Sequence, residues 1–168
     1  MQISSVWGGY KSYAIPGDMT GDSRPDLVAV DSDGSVYLYP GKGTGQFYGR
    51  VKVVDKAWKG VKIFGHGDLS GDGRADLLVR STSGVLYLYR GTQVEKTPFA
   101  ARIQARTGWN FTSNVANGDV TGDGIADVLA RDSGGTLWLY PGTNKASSSL
   151  FGTRKSLGTG FNQYNLLF

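Results

Sequence analysis

Three carboxylates stand four residues apart in the stretch GDMTGDSRPDLVAV, at Asp18, Asp22 and Asp26. The triplet returns at Asp68, Asp72 and Asp76 and again at Asp119, Asp123 and Asp127, so nine of the 14 acidic residues lie in three short loops. Like charges held this close repel, and a fold that gathers them needs a cation, a reaction or a tight turn to justify it. Each loop offers oxygens at positions one, three, five, seven and nine. In the first copy these are Asp18, Thr20, Asp22, the backbone carbonyl of Arg24, and Asp26. In the second they are Asp68, Ser70, Asp72, the carbonyl of Arg74, and Asp76; in the third, Asp119, Thr121, Asp123, the carbonyl of Ile125, and Asp127.

Calcium takes roughly six to eight hard oxygen ligands in flexible geometry. Three carboxylates (one of them bidentate), a hydroxyl, a carbonyl and a water supply that number, and Gly122 and Gly124 let the backbone curl around an ion. Zinc and copper lack their preferred ligands, because the chain has no cysteine and His66 is its single histidine. Magnesium disfavours such a dehydrated cage. The competing reading needs no ion: Asp, Ser and Thr cap tight turns by accepting backbone N–H bonds. It accounts readily for one aspartate per turn and less readily for three. An enzyme is not expected. One histidine, one glutamate (Glu95) and no cysteine leave almost no nucleophile–base pair, and a catalytic site tends to break the symmetry of a repeat.

The elements that carry these loops also repeat. GDMTGDSRPDLVAVDSDGSVYLYPG, GDLSGDGRADLLVRSTSGVLYLYRG and GDVTGDGIADVLARDSGGTLWLYPG begin at Gly17, Gly67 and Gly118, offsets of 50 and 51 residues. Trp7, Trp58, Trp109 and Phe161 open the stretches between them at offsets of 51, 51 and 52. Each repeat reads as four strands. An approach strand (about 10–17, 61–67 and 111–118) leads into the acidic loop. A short apolar run follows (LVAV, LLVR or VLAR), of a kind that fits a strand buried on both faces. A glycine turn then leads to VYLY, LYLY or LWLY, and a looser fourth strand is expected near 47–54, 99–103 and 150–155. Four antiparallel strands every ~50 residues is the pattern of a β-propeller blade. The fold expected is therefore all-β: one domain over 1–168, with repeats at about 7–57, 58–108 and 109–160 and an extra C-terminal strand over 161–168.

Bulk properties narrow the partners. The net charge is +4, but the basic residues are scattered and no run exceeds Arg154-Lys155. Nucleic-acid binders concentrate such charge on a stripe or patch, so no nucleic acid is expected. No stretch approaches the ~20 apolar residues of a membrane span, so no membrane partner is expected either. The opening MQISSVWGGYKSY lacks the basic-then-apolar order of a signal peptide.

The string GDxTGDGxxDLLxR…GxLxLYxG resembles the integrin-type FG-GAP repeats, also called VCBS repeats, over nearly the whole chain. That resemblance implies propeller blades with calcium held between the first two strands by the nine aspartates, and an extracellular, secreted recognition or adhesion module. The family usually has Asp or Asn at position three, where this chain has Thr20, Ser70 and Thr121. Three blades are fewer than the roughly four to eight that close a propeller. The chain is then either a piece of a longer propeller or a homo-oligomer in which several copies close one ring. A glycan or protein ligand is expected, and Trp7, Trp58, Trp109 and Phe161 are candidate sugar-stacking rings at blade rims. Packing between blades is the alternative for the same rings.

Overall fold

The structure is a computed structural model that describes residues 7–164. Its strands are β1 (Tyr10–Gly17), β2 (Asp26–Asp31), β3 (Val36–Tyr39), β4 (Val51–Val54), β5 (Lys62–Phe64), β6 (Asp76–Arg80), β7 (Leu86–Arg90), β8 (Ile103–Arg106), β9 (Ser113–Gly118), β10 (Asp127–Arg131), β11 (Leu137–Tyr140) and β12 (Lys155–Gly158). They form three separate four-stranded antiparallel sheets, β1–β4, β5–β8 and β9–β12, each paired in sequence order. These are the three expected blades. The second lies between the others: β1 runs beside β5, and β5 beside β9.

The short apolar runs are buried on both faces because each side of the strand meets a different layer. In β2, Leu27 and Ala29 join Tyr10 and Tyr39 on one side of the sheet. Val28 and Val30 face the other way, into a cluster with Leu77 and Val79 of the second blade. Leu78, Leu86 and Leu88 of the second blade meet Val128 and Ala130 of the third in the same manner. The core is thus two inter-blade seams and a smaller cluster within the first blade, not one central mass. It is held chiefly by apolar burial, at about 25 cal/mol per Å².

Two expectations are corrected or qualified here. The fourth strands start later than expected, at Val51, Ile103 and Lys155. Phe47, Phe99 and Phe151 make only isolated bridges to Gly41, Gly91 and Gly142, and their rings pack against Tyr39, Tyr89 and Tyr140. The segment is thereby committed to plugging the blade, and strand pairing resumes only beyond it. Of the extra strand expected over 161–168, Phe161–Gln163 form a 3-10 turn, the same element that Trp7–Gly9 form ahead of β1; residues 165–168 lie outside the described residues.

Candidate functional site

Each acidic loop joins the first two strands of its blade and is organised by its own carboxylates. In the first loop, Asp18 Oδ1 accepts the amides of Thr20 (3.0 Å), Gly21 (2.6 Å) and Asp22 (3.2 Å), and Oδ2 accepts that of Ser23 (2.7 Å). Asp68 repeats the pattern with Ser70, Gly71, Asp72 and Gly73. Asp119 accepts from Gly122, Asp123 and Gly124. The position-three hydroxyls of Thr20, Ser70 and Thr121 lie 3.4, 3.3 and 3.4 Å from the same carboxylates. At Asp18, burial pulls the carboxyl upward, but the amides of Ser23, Gly21, Thr20 and Asp22 together outweigh it and hold it below its ordinary value. At Asp119 the Gly124 amide leads the same downward shift, ahead of an opposing effect of burial.

The position-five carboxylates bond forward by two residues: Asp22, Asp72 and Asp123 accept the amides of Arg24, Arg74 and Ile125 at 2.9, 3.1 and 2.9 Å. Position seven, expected to offer a carbonyl, is thus held by its N–H. The position-nine aspartates are fully buried. Asp26 reaches back to the Met19 amide and across to Gly41, each at 2.8 Å. Asp76 accepts from Leu69, Ser70 and Gly91, and Asp127 from Val120, Thr121 and Gly142. Burial pushes the Asp76 carboxyl up to about 6, against the pull of these hydrogen bonds. Gly41, Gly91 and Gly142 were invisible as partners in the sequence, although each closes the recurring motif GxLxLYxG that already pointed to its position.

The residues expected to form a cage are therefore brought into one loop but not around one point. Among the described residues, no three Asp, Glu or His side chains gather into a group that could hold a metal ion. The first- and ninth-position carboxylates accept backbone amides with both oxygens, so each loop is organised as a set of capped turns. The loops do differ in what surrounds the middle carboxylate. Asp22 lies 3.6 Å from Arg24 and Asp72 lies 3.8 Å from Arg90, whereas Asp123 forms no ion pair among the described residues.

The family comparison agrees with this repeat-by-repeat geometry: residues 68–130, which run from the second loop to the third apolar strand, match the family model described as FG-GAP-like repeat. This segment is similar to the FG-GAP-like repeat family. The first blade carries the same loop and strand pattern in the same register. No curated protein matches it.

The aromatic positions of this module are packing residues at its two inner seams. Trp58 and Trp109 are 7% and 1% exposed, so of the two readings offered for these rings, packing describes them at those positions. Trp58 lies 4.8 Å from Tyr89 and 5.4 Å from Phe99, and Trp109 lies 4.6 Å from Tyr140 and 5.9 Å from Phe151. Neither leaves a face for a sugar. Trp7 and Phe161, on the two outer blades, are half-buried. A set of contacts that sequence reading missed also recurs: the guanidiniums of Arg50, Arg102 and Arg154 stack on Tyr37, Tyr87 and Trp138 at 4.2, 4.6 and 3.9 Å. The inner strands of the three blades line an open groove of about 500 Å³ that includes Tyr13, Ile15, Ile63, His66, Asn114 and Val115. Among the described residues, no helix is long and apolar enough to cross a membrane.

Proposed function

We propose that this chain is a non-enzymatic, propeller-type FG-GAP-like repeat module for extracellular recognition or scaffolding, which completes its ring by self-assembly. One observation carries the reading. Position two of the acidic loop is fully buried in the first two blades (Met19 and Leu69, both 0% exposed) but 47% exposed in the third, at Val120. The residue type is apolar throughout; what differs is its exposure. An apolar face left open in this way favours association, and a repeat that stacks on its own kind supplies a matching surface. The groove along the inner strands, with Tyr13 and Ile15 at 61% and 50% exposed, is the concave surface that a ligand would meet.

Calcium belongs to this reading as an ion the oxygen-only loops suit by composition. The third loop is the place to look, since Asp123 has no competing cation among the described residues. A sugar ligand is the lesser reading, restricted to Trp7 and Phe161 because the inner rings are packed away. Sedimentation velocity over a dilution series, with and without a chelator, tests the proposal. Assembly that persists in chelator and dissociates on dilution supports a module closed by its blades. A single monomeric species at every concentration, with or without calcium, contradicts it.

A further inference from the structure

Basic residues that look scattered along the chain are gathered by the fold at one place in every blade. The first strands β1, β5 and β9 run beside one another, so the fourth strands β4, β8 and β12 are the outer edges of the three sheets. Residues 50–54, 102–106 and 154–158, which enter and form those edges, hold Arg50 and Lys52, Arg102 and Arg106, and Arg154 and Lys155, and no acidic residue. All six side chains are exposed. Lys52 pairs with Asp55 at 3.0 Å, whereas the other five form no ion pair among the described residues. Charges on an edge strand discourage pairing with another sheet, and lysine suffices for that.

The residue just before each outer strand is always arginine, and it is always held on a ring. Arg50, Arg102 and Arg154 stack on Tyr37, Tyr87 and Trp138. Arg50 Nη1 also donates to the Tyr10 hydroxyl at 2.6 Å, and Arg154 Nη1 to that of Tyr140 at 3.4 Å. A guanidinium fixed in this way keeps N–H donors for a planar, two-pronged anion at little further cost in side-chain entropy. The second seam adds another cation. Arg106, from the second blade, lies 5.3 Å from the ring of Tyr140, the residue that Arg154 of the third blade contacts. Two guanidiniums from different blades thus converge on one tyrosine. The carboxylate beside them, Asp132, is taken by the Trp138 indole N–H at 2.8 Å and the Thr136 amide at 2.9 Å.

Resting on the recognition reading, we propose that the outer edges of the blades form a rim that binds an acidic polysaccharide. Arg106 and Arg154 together hold one of its anionic groups at the second seam, and Arg102 and Arg50 hold others on the neighbouring blades. The stacked arginines recur one per blade at offsets of 52 residues, so a polymer with anionic groups at intervals matches them better than a single small anion does. The rings beneath the arginines are half-buried. They offer no open aromatic platform of the kind on which nucleic-acid bases stack, and this favours a sugar polymer over a single-stranded nucleic acid.

Titration of the chain with a fluorescent heparin decasaccharide at low salt tests the rim, with neutral dextran and a thymidine oligonucleotide as comparisons. Heparin is expected to bind, and to be released by added salt. Replacing Arg102, Arg106 and Arg154 together by glutamine is expected to weaken binding by more than about tenfold at an unchanged melting temperature. Arg102→Gln alone, at a residue with no bond to a tyrosine hydroxyl, is expected to weaken it by about threefold. Replacing Lys42, Lys96 and Lys145 by glutamine removes the same charge from loops off the rim and is expected to change binding by less than about twofold. An equal loss in that lysine variant overturns the rim in favour of bulk charge. Lysine at Arg102 and Arg154 keeps the charge but not the planar donors, so binding as tight as the parent's would also overturn it. An oligonucleotide that binds more tightly than heparin replaces the polysaccharide with a nucleic acid. A parent chain that binds no heparin removes the rim, while the recognition reading is then decided at the inner groove.

Discussion

At the residue scale, Ser23 holds a left-handed backbone with φ of 65°, where the second and third loops have Gly73 and Gly124 at 81° and 82°. A side chain in this region costs about 1–2 kcal/mol, partly offset by the greater freedom glycine has in the unfolded chain. Ser23→Gly is therefore expected to stabilise the chain by up to about 1 kcal/mol in urea denaturation. A loss of stability would show that the Ser23 side chain contributes something the backbone argument omits. Asp76 makes the second prediction at this scale. Its carboxyl is raised to about 6 by burial. Its contribution is thus fully present below the unfolded carboxylate value near ~3.9 and is lost as the pH rises through about 6. In metal-free buffer the stability advantage of the parent over Asp76→Asn should grow between about pH 7 and about pH 4.5. An advantage that shrinks over that window contradicts the burial assignment. The nine aspartates were legible in the sequence as one repeated device. Which atoms they serve was not legible, because an aspartate that caps amides and one that ligates a cation have the same spacing. The partners Gly41, Gly91 and Gly142 lie 15 residues downstream, and only strand pairing brings them back.

At the scale of elements, the blade is held by rings that arrive from distant parts of its repeat. Trp109 packs on Tyr140 and Phe151, which follow it by 31 and 42 residues, and it donates its indole N–H to Asn114 at 2.7 Å. Removing such a buried indole is expected to cost about 3–5 kcal/mol. Trp109→Ala should accordingly lower the melting temperature steeply and uncouple the second and third blades in hydrogen exchange. A variant with unchanged stability but altered ligand binding would return Trp109 to the role of a surface platform. The period, the four strands and the second and third strand positions could be read from alternation and apolar runs alone. The fourth strand could not be placed, because Phe47, Phe99 and Phe151 look like strand residues yet are used as plugs against the third strand. The Arg50, Arg102 and Arg154 stacks escaped for a related reason: a cation above a ring has no periodic signal when the two lie 13 to 16 residues apart.

At the scale of the whole molecule, each inner blade face is covered by a neighbour, and the open face of the third blade repeats the chemistry of the covered ones. Sequence counting of repeats raised the question of closure. The contrast between buried Met19 and Leu69 and exposed Val120 gives it a location. On the self-assembly proposal, the blades themselves supply the surface on which the module associates, without an ion to bridge them. Native mass spectrometry of the unmodified chain in chelator tests this most directly. A dominant species at a multiple of 18.0 kDa is expected. A single species at 18.0 kDa, unchanged across concentration, would contradict it.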